Sequence, residues 1–419
     1  MQGLILGIDL CDDYCQAGYY NLQNNESDAI EFDEGNSYMI PTVLCKLKDS
    51  DDWDYGEAAF KSALFGKGIS VDKLVTMCLK DGVATIDGVK YDCVTLTSVF
   101  LKKVLEKIKI NLGSTTISQV VITTRNKNAD AIHNIEAAAV MAGIPKEKLH
   151  FATHSEAYMY YVLAQKPDVY TNLVCMFDLT NDGMEYYELS ITRGRKPQIA
   201  EAVCHELEEG FSLDILDTPQ GRKIADKILC SCSERIIGKR VVTSVFLTGR
   251  AFDTDTWAEN FINVACYKRR VFVGQGLFAQ GAAYIACEHE KGEKIHPYTC
   301  ICSGRIANRV TIDADYFGQA RQIIAAEAGS SFREAGIDAD FILDDSRKVE
   351  FGISGVKMPW QKKMAVLLDG FPQRPNKTTR INVKIWFTED NVMQTEITDL
   401  GFGQFYPSSG KNVRQEFRL

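Results

Sequence analysis

Residues 3–13 read GLILGIDLCDD, and residues 172–185 read NLVCMFDLTNDGME. In each, an apolar run climbs to an Asp (Asp9, Asp178) and stops at a polar turn. A short apolar run bounded by turn formers reads as a buried strand. After the first turn, Gln16–Leu22 reads as a second strand, and after the second turn Glu185–Arg193 reads as a hairpin partner. Working outward from the first hairpin, Met39–Lys46 is expected as a strand, Gly56–Phe65 as a helix and Leu96–Ile110 as a helix with one apolar face. Val120–Thr124 follows as a buried strand, Asp130–Ala142 as a helix ending at Gly143, His150–Ala152 as a short strand and Ser155–Ala164 as a helix. The second hairpin is followed by a comparable series: strand Pro197–Val203, helix Arg222–Ile237, strand Val241–Leu247 and the Ala-rich helix Phe278–Cys287. This is a weak internal duplication of an αβ pattern.

The texture changes at Lys291-Gly292-Glu293-Lys294. Beyond it only short β segments appear, closely spaced and separated by turn residues, from 308–314 to 402–406. That spacing predicts an all-β sandwich, with Lys411–Leu419 as a loose tail. The expected domains are therefore 1–165, 166–290 and 291–419.

Composition narrows the function. The chain has 419 residues, 45% hydrophobic and 25% charged, with net charge −9. An acidic chain without a basic run is a poor partner for nucleic acid or an anionic membrane, so neither is expected. No apolar stretch approaches the ~20 residues that a spanning helix needs. The N-terminal run lacks a basic flank and leads into acid, which reads as a strand rather than a leader, so a cytoplasmic location is expected. Thirteen cysteines are an odd number scattered along the chain, and several sit in apolar runs as small hydrophobes. The Cys230/Cys232 and Cys300/Cys302 pairs lack a His at metal-finger spacing.

Three segments resemble the nucleotide-contacting motifs of the actin-like ATPase superfamily, and the DnaK-type heat-shock chaperones match best. Gly7-Ile8-Asp9-Leu10-Cys11-Asp12-Asp13 resembles the first phosphate hairpin of that family. Phe177-Asp178-Leu179-Thr180-Asn181-Asp182-Gly183, with Glu185, resembles the second. Phe246-Leu247-Thr248-Gly249-Arg250 stands where the family packs adenosine. Glu34-Gly35-Asn36 through Val43, Val121 through Gly143, Gln280-Gly281-Ala282-Ala283 and Leu368-Asp369-Gly370-Phe371-Pro372 look like further family segments. The resemblance implies a two-lobed α/β actin-like core followed by a substrate-binding β-sandwich without a lid. It implies Asp9, Asp178 and Glu185 as candidate catalytic carboxylates, with Asp9 and Asp178 as metal ligands where Mg²⁺ binds. Asp12, Asp13, Thr180, Asn181, Gly183 and Gly249 are the implied nucleotide contacts.

The departures from the family pattern weigh on function. Cys11 replaces a Gly, Asp12 and Asp13 replace hydroxyl residues, and Thr180, Asn181 and Asp182 replace glycines. Glycine lets a backbone approach phosphate closely. A carboxylate about 4 Å from a phosphate oxygen is repelled by roughly 1–4 kcal/mol. His154, or Glu156 with a shift, stands where the family has a Glu that orients Mg²⁺ waters, and Lys67, Lys73 and Lys80 are candidates for its catalytic Lys without a matching motif. Both small subdomains are short, and Leu213–Pro219 reads as a loop. The expected function is a DnaK-like pseudo-ATPase that binds protein or extended peptide. The alternative is a reduced Mg-dependent ATP-binding protein or ATPase using Asp9, Asp178 and Glu185. No cofactor is expected under the first reading, and Mg-ATP or ADP under the second.

Overall fold

The computed structural model describes residues 3–32, 37–48, 50–114, 116–125, 128–194, 196–252, 257–344, 347–357 and 360–419. The Glu34-Gly35-Asn36 segment lies outside the described residues. The fold is mixed α/β with a β-rich C-terminal region. Two compact units divide the chain: Met1–Thr192 with Glu201–Pro297, and Arg193–Ala200 with Tyr298–Leu419.

The first unit holds two sheets of matching order. One runs Leu149–Thr153, Ile117–Thr124, Leu4–Leu10, Tyr14–Asn21, Glu26–Ala29. Leu4–Leu10 is antiparallel to its hairpin partner Tyr14–Asn21 and parallel to Ile117–Thr124. The other includes, in order, Arg270–Val273, Val242–Thr248, Leu173–Thr180 and Gly183–Thr192. Its central strand is again antiparallel to its hairpin partner and parallel to the next strand. The central strands are buried almost throughout, so their apolar runs do not alternate. In both sheets the strand C-termini carry Asp9 and Asp178 to the same kind of place, the crevice beyond the carboxyl ends.

Helices cover the sheets. Cys93–Leu112 starts on the Asp92 side chain, which accepts from the Thr95 N–H, and stops at Gly113 in the left-handed region (φ 63). Its buried residues Leu96, Phe100, Leu101, Val104, Leu105 and Ile108 face Leu6, Ile8 and Ile122 in one apolar core. Pro219–Ile237 begins three residues before the expected Arg222, because Thr218 caps it and Pro219 suits the first helical position. It packs with Glu259–Cys266 against Phe177, Val245 and Leu247. Leu277–Lys291, from the second half of the chain, lies against the first strand. A Cβ on Gly7 would overlap the Ala279 carbonyl and the Ala283 nitrogen, and one on Gly281 would overlap the Ala157 carbonyl. This close seating stitches the second half of the unit to the first.

Residues 66–90, for which the sequence implies only a short subdomain, hold strand Gly68–Val71, helix Leu74–Leu79 and strand Val83–Ile86. Other segments depart from the expectation. Leu213–Asp217 is a 3-10 turn rather than a plain loop. Lys268-Arg269 lies on a turn that leads into strand Arg270–Val273, where no strand was expected, with Arg269 donating to the Ile237 carbonyl at 2.6 Å.

In the second unit, two four-stranded sheets share one core. One runs Gln319–Ala326, Asn308–Tyr316, Lys348–Gly355, Gln361–Leu367, and the other Gly336–Ile342, Arg380–Glu389, Val392–Gly401, Asn412–Arg418. Val310, Phe351, Ile353, Val383 and Ile385 are all buried in that core. The expected loose tail is incorrect. Asn412–Arg418 pairs along Val392–Thr398 as an edge strand, and Val413 and Phe417 pack on the core while their neighbours face out. The expected strand at 402–406 reduces to a single Phe402–Tyr406 bridge.

Candidate functional site: two hairpins latched by carboxylates

The site gathers at the two hairpin turns of the first unit. The first turn is Cys11-Asp12-Asp13, closed by the Cys11 N–H donating to the Tyr14 carbonyl at 3.1 Å. The second is Asn181-Asp182 between Thr180 and Gly183.

Each acidic residue of the first turn already has partners. The Asp12 carboxylate accepts from the N–H groups of Val75 (2.7 Å) and Thr76 (3.0 Å) and from the Thr76 hydroxyl (2.5 Å). The Asp13 carboxylate accepts from the Asn181 N–H at 3.1 Å, the Asn181 side-chain amide at 3.1 Å and Arg250 at 2.8 Å. In return the Asp13 N–H donates to Asp182 at 3.0 Å. The two turns therefore hold each other reciprocally, and Asp13 rests on a backbone donor that an anion would otherwise use.

Arg125 is the residue that sequence reasoning missed. It follows the strand Ile117–Thr124, and its guanidinium donates to Asp178 and lies 3.5 Å from Glu185. Gly183 gives it room, since a Cβ there would come within 2.8 Å of the guanidinium. Tyr187 donates its hydroxyl to Glu185 at 2.6 Å. The one hint in the sequence is a basic residue directly after a buried parallel strand. Burial works against the Arg125 charge, but Asp178 and Glu185 outweigh it and raise its pKa. Asp178 is wholly buried, and that burial lifts its carboxyl from 3.8 to about 6 against the opposing pull of Arg125 and His154.

Asp9 forms a second cluster. Its Oδ1 lies 2.7 Å from His154 Nε2 and accepts from the Cys11 thiol at 3.6 Å. Cys11 Sγ is 3.8 Å from His154 Nε2. His154 is the first residue of the helix His154–Leu163 and stacks on Phe278 with ring centroids 3.9 Å apart. Burial, then Asp9, pushes the Cys11 thiol pKa well up. Among the described residues, Asp9 Oδ2, His154 Nδ1 and Asp178 Oδ1 are buried without a hydrogen-bond partner.

The other expected residues fall close by. Gly249 ends the Val242–Thr248 strand with φ 91, and a Cβ there would meet Asp178 Oδ1 at 2.6 Å. Thr180 donates to the Gly183 carbonyl at 3.1 Å, inside its own turn. Glu156 is buried one turn into its helix, while Lys67 is exposed. Lys73 and Lys80 line a cavity of about 500 Å³ together with Cys11, Asp12 and Arg125. A second cavity of about 850 Å³ lies beside Thr180, Glu185, Glu206 and Phe211. Arg125 and Asp182 border both.

Groups that Mg-ATP would use are already engaged in this arrangement. The Asn181 N–H is taken by Asp13, and the cation between Asp178 and Glu185 is already Arg125. Phosphate entering here would meet the carboxylates of Asp12, Asp13 and Asp182.

Residues 26–303 match the family model described as Family of unknown function (DUF5716) C-terminal. The chain belongs to that family. Residues 305–419 match a second model, Domain of unknown function (DUF8552), which falls within the second unit. No curated protein matches the chain.

Proposed function

We propose that this family member is a degenerate actin-like protein of the DnaK type, a pseudo-ATPase that works by binding protein or extended peptide. The observation that carries the reading is Arg125, a permanent cation held by Glu185 and by Asp178, one of the two carboxylates that the resemblance implies for Mg²⁺. The Asp13–Asn181–Asp182 latch supports it by occupying the turn donors. The repeated sheet order, a hairpin followed by parallel strands, is what an actin-like frame needs. For peptide, the C-terminal sheets end on Gln319–Ala326, Gln361–Leu367, Gly336–Ile342 and Asn412–Arg418. Edge strands of this kind offer backbone groups to an added strand.

Calorimetric titration with ATP and ADP, with and without Mg²⁺, tests the proposal. The expected result is no heat at millimolar nucleotide. Micromolar, Mg²⁺-dependent binding that Asp178→Asn abolishes would overturn it in favour of an ATPase using Asp9, Asp178 and Glu185.

A further inference from the structure

The two most chemically distinctive departures in the hairpin region converge on one atom group. Cys11 replaces a glycine and His154 replaces a glutamate of the resembled motif, yet both end against Asp9. A thiol, an imidazole and a carboxylate are the donor types that bind Zn²⁺. The three come from separate places: a strand end, a turn and the start of a helix.

Their spacing suits a metal. Zinc at about 2.3 Å from sulfur and about 2.0 Å from nitrogen and oxygen sets tetrahedral ligand pairs roughly 3.3–3.6 Å apart. The observed sulfur separations are 3.6 Å to Asp9 and 3.8 Å to His154. Only the Asp9–His154 pair, at 2.7 Å, is shorter, as a direct hydrogen bond must be. Moving those two apart by a further half ångström or so, from 2.7 Å to about 3.3 Å, would seat the ion. All three side chains are nearly or wholly buried, and Asp9 keeps a second oxygen with no partner among the described residues. Stacking on Phe278 fixes the imidazole plane. Cys11 also lines the 500 Å³ cavity, so the sulfur edge of the cluster borders open space.

Charge favours the same occupant. A divalent ion with one thiolate and one carboxylate is neutral, which suits a buried site. Arg125 nearby is held by two carboxylates, so it leaves no net positive charge to repel the ion. The rival set of His154, Asp178 and Glu185 is unsuitable because Arg125 already takes both carboxylates. The Cys230/Cys232 pair is unsuitable as well. Residues two apart on a helix do not face one way, and Cys232 donates to Glu209 at 3.3 Å.

We infer that Asp9, Cys11 and His154 form a binding site for one zinc-class transition-metal ion. The site needs no nucleotide, so it does not depend on the pseudo-ATPase reading.

The test uses the full-length protein, reduced and stripped with a chelator, then titrated with cobalt(II) alone and with zinc(II) alone. The expected result is one equivalent of cobalt, an intense sulfur-to-cobalt charge-transfer band, and displacement of that band by zinc. Cys11→Ser should abolish the band. His154→Gln should weaken zinc binding by at least about 100-fold, since losing outer partners alone costs 10–100-fold. Cys266→Ser, at an exposed thiol, should change neither. Cys11→Ala serves where Cys11→Ser does not fold. No thiolate band in the unsubstituted protein overturns the site without recourse to any variant. A band that survives loss of Cys11, or that disappears with Cys230 and Cys232 instead, overturns it too.

Discussion

Asp178 and Arg125 show how one buried pair couples stability to pH. The Asp178 carboxyl is lifted by burial from 3.8 to about 6 in the folded protein. A raised acid pKa means the folded state holds its proton more tightly than the unfolded chain does. Its contribution is therefore full below about pH 4 and declines as pH rises towards about 6. Arg125→Ala removes the opposing cation and leaves a buried charge unpaired, which costs about 3–5 kcal/mol at neutral pH. The same change should push the Asp178 carboxyl higher still and carry the decline on to higher pH. Asp178→Asn should flatten it. Denaturant unfolding of the three proteins at pH 4, 5, 6 and 7 checks the order. The same pH dependence in all three would rule out Asp178 as the source. At this scale the sequence carried the acidic half of the site. Asp9, Asp12, Asp13, Asp178 and Glu185 stand in motif positions beside turns. Arg125 carries only its place after a buried strand as a local mark, and it is the packing of the Ile117–Thr124 sheet against the second hairpin that brings it to Asp178.

Among the elements, the Leu277–Lys291 helix depends most on two glycines. Gly7 and Gly281 leave no space for a methyl group, and the atoms they face are backbone, which cannot turn away. Gly7→Ala and Gly281→Ala should each destabilise by about 1–3 kcal/mol or more. Gly210→Ala is the internal contrast. Its Cβ would find only ordinary contacts at 3.6 Å and beyond, and reduced freedom of the unfolded chain should give a neutral or slightly stabilising change. Thermal unfolding of the three variants separates the cases, and a Gly210→Ala loss as large as the others would refute the packing argument. Element legibility followed the amount of apolar surface each one buries. Cys93–Leu112 has five turns of one-sided pattern, and its apolar face gives Leu96–Ile110 from the sequence, with the capped ends added by the structure. Glu259–Cys266 buries only Phe261 and Ala265, too short a pattern to register. Arg270–Val273 opens on a charge and is mostly exposed, so it lacks the apolar run that marks a buried strand. Asn412–Arg418 has just Val413 and Phe417 facing in, because an edge strand keeps its other side chains in water.

At the scale of the whole molecule, the two units carry ionic cores of opposite pH response. In the second unit Asp399 is fully buried and accepts from Arg374 at 2.7 and 2.8 Å, from the Gly401 N–H at 3.0 Å, and from the Ser409 N–H and hydroxyl at 2.9 and 2.6 Å. Burial works to raise its pKa, but Arg374, Ser409 and Gly401 more than offset that and hold it well below the ordinary carboxylate range. A depressed acid pKa contributes stability above the unfolded value of 3.8 and loses it as pH falls below. Asp178 contributes the reverse, and its contribution is already complete by about pH 4. Acid below that point should therefore loosen the Arg380–Glu389 and Val392–Gly401 strands through Asp399 without any loss through Asp178. Hydrogen exchange read by peptide mass spectrometry at pH 5 and pH 3, corrected for intrinsic rates, gives the measurement. The unsubstituted protein should lose protection in those two strands on acidification. Asp399→Asn, though weaker at neutral pH, should lose little more between the two pH values. If both proteins lost protection there equally, the acid sensitivity would belong to other carboxylates of the sandwich, and Arg374–Asp399 would be reduced to a tether for the loops it joins.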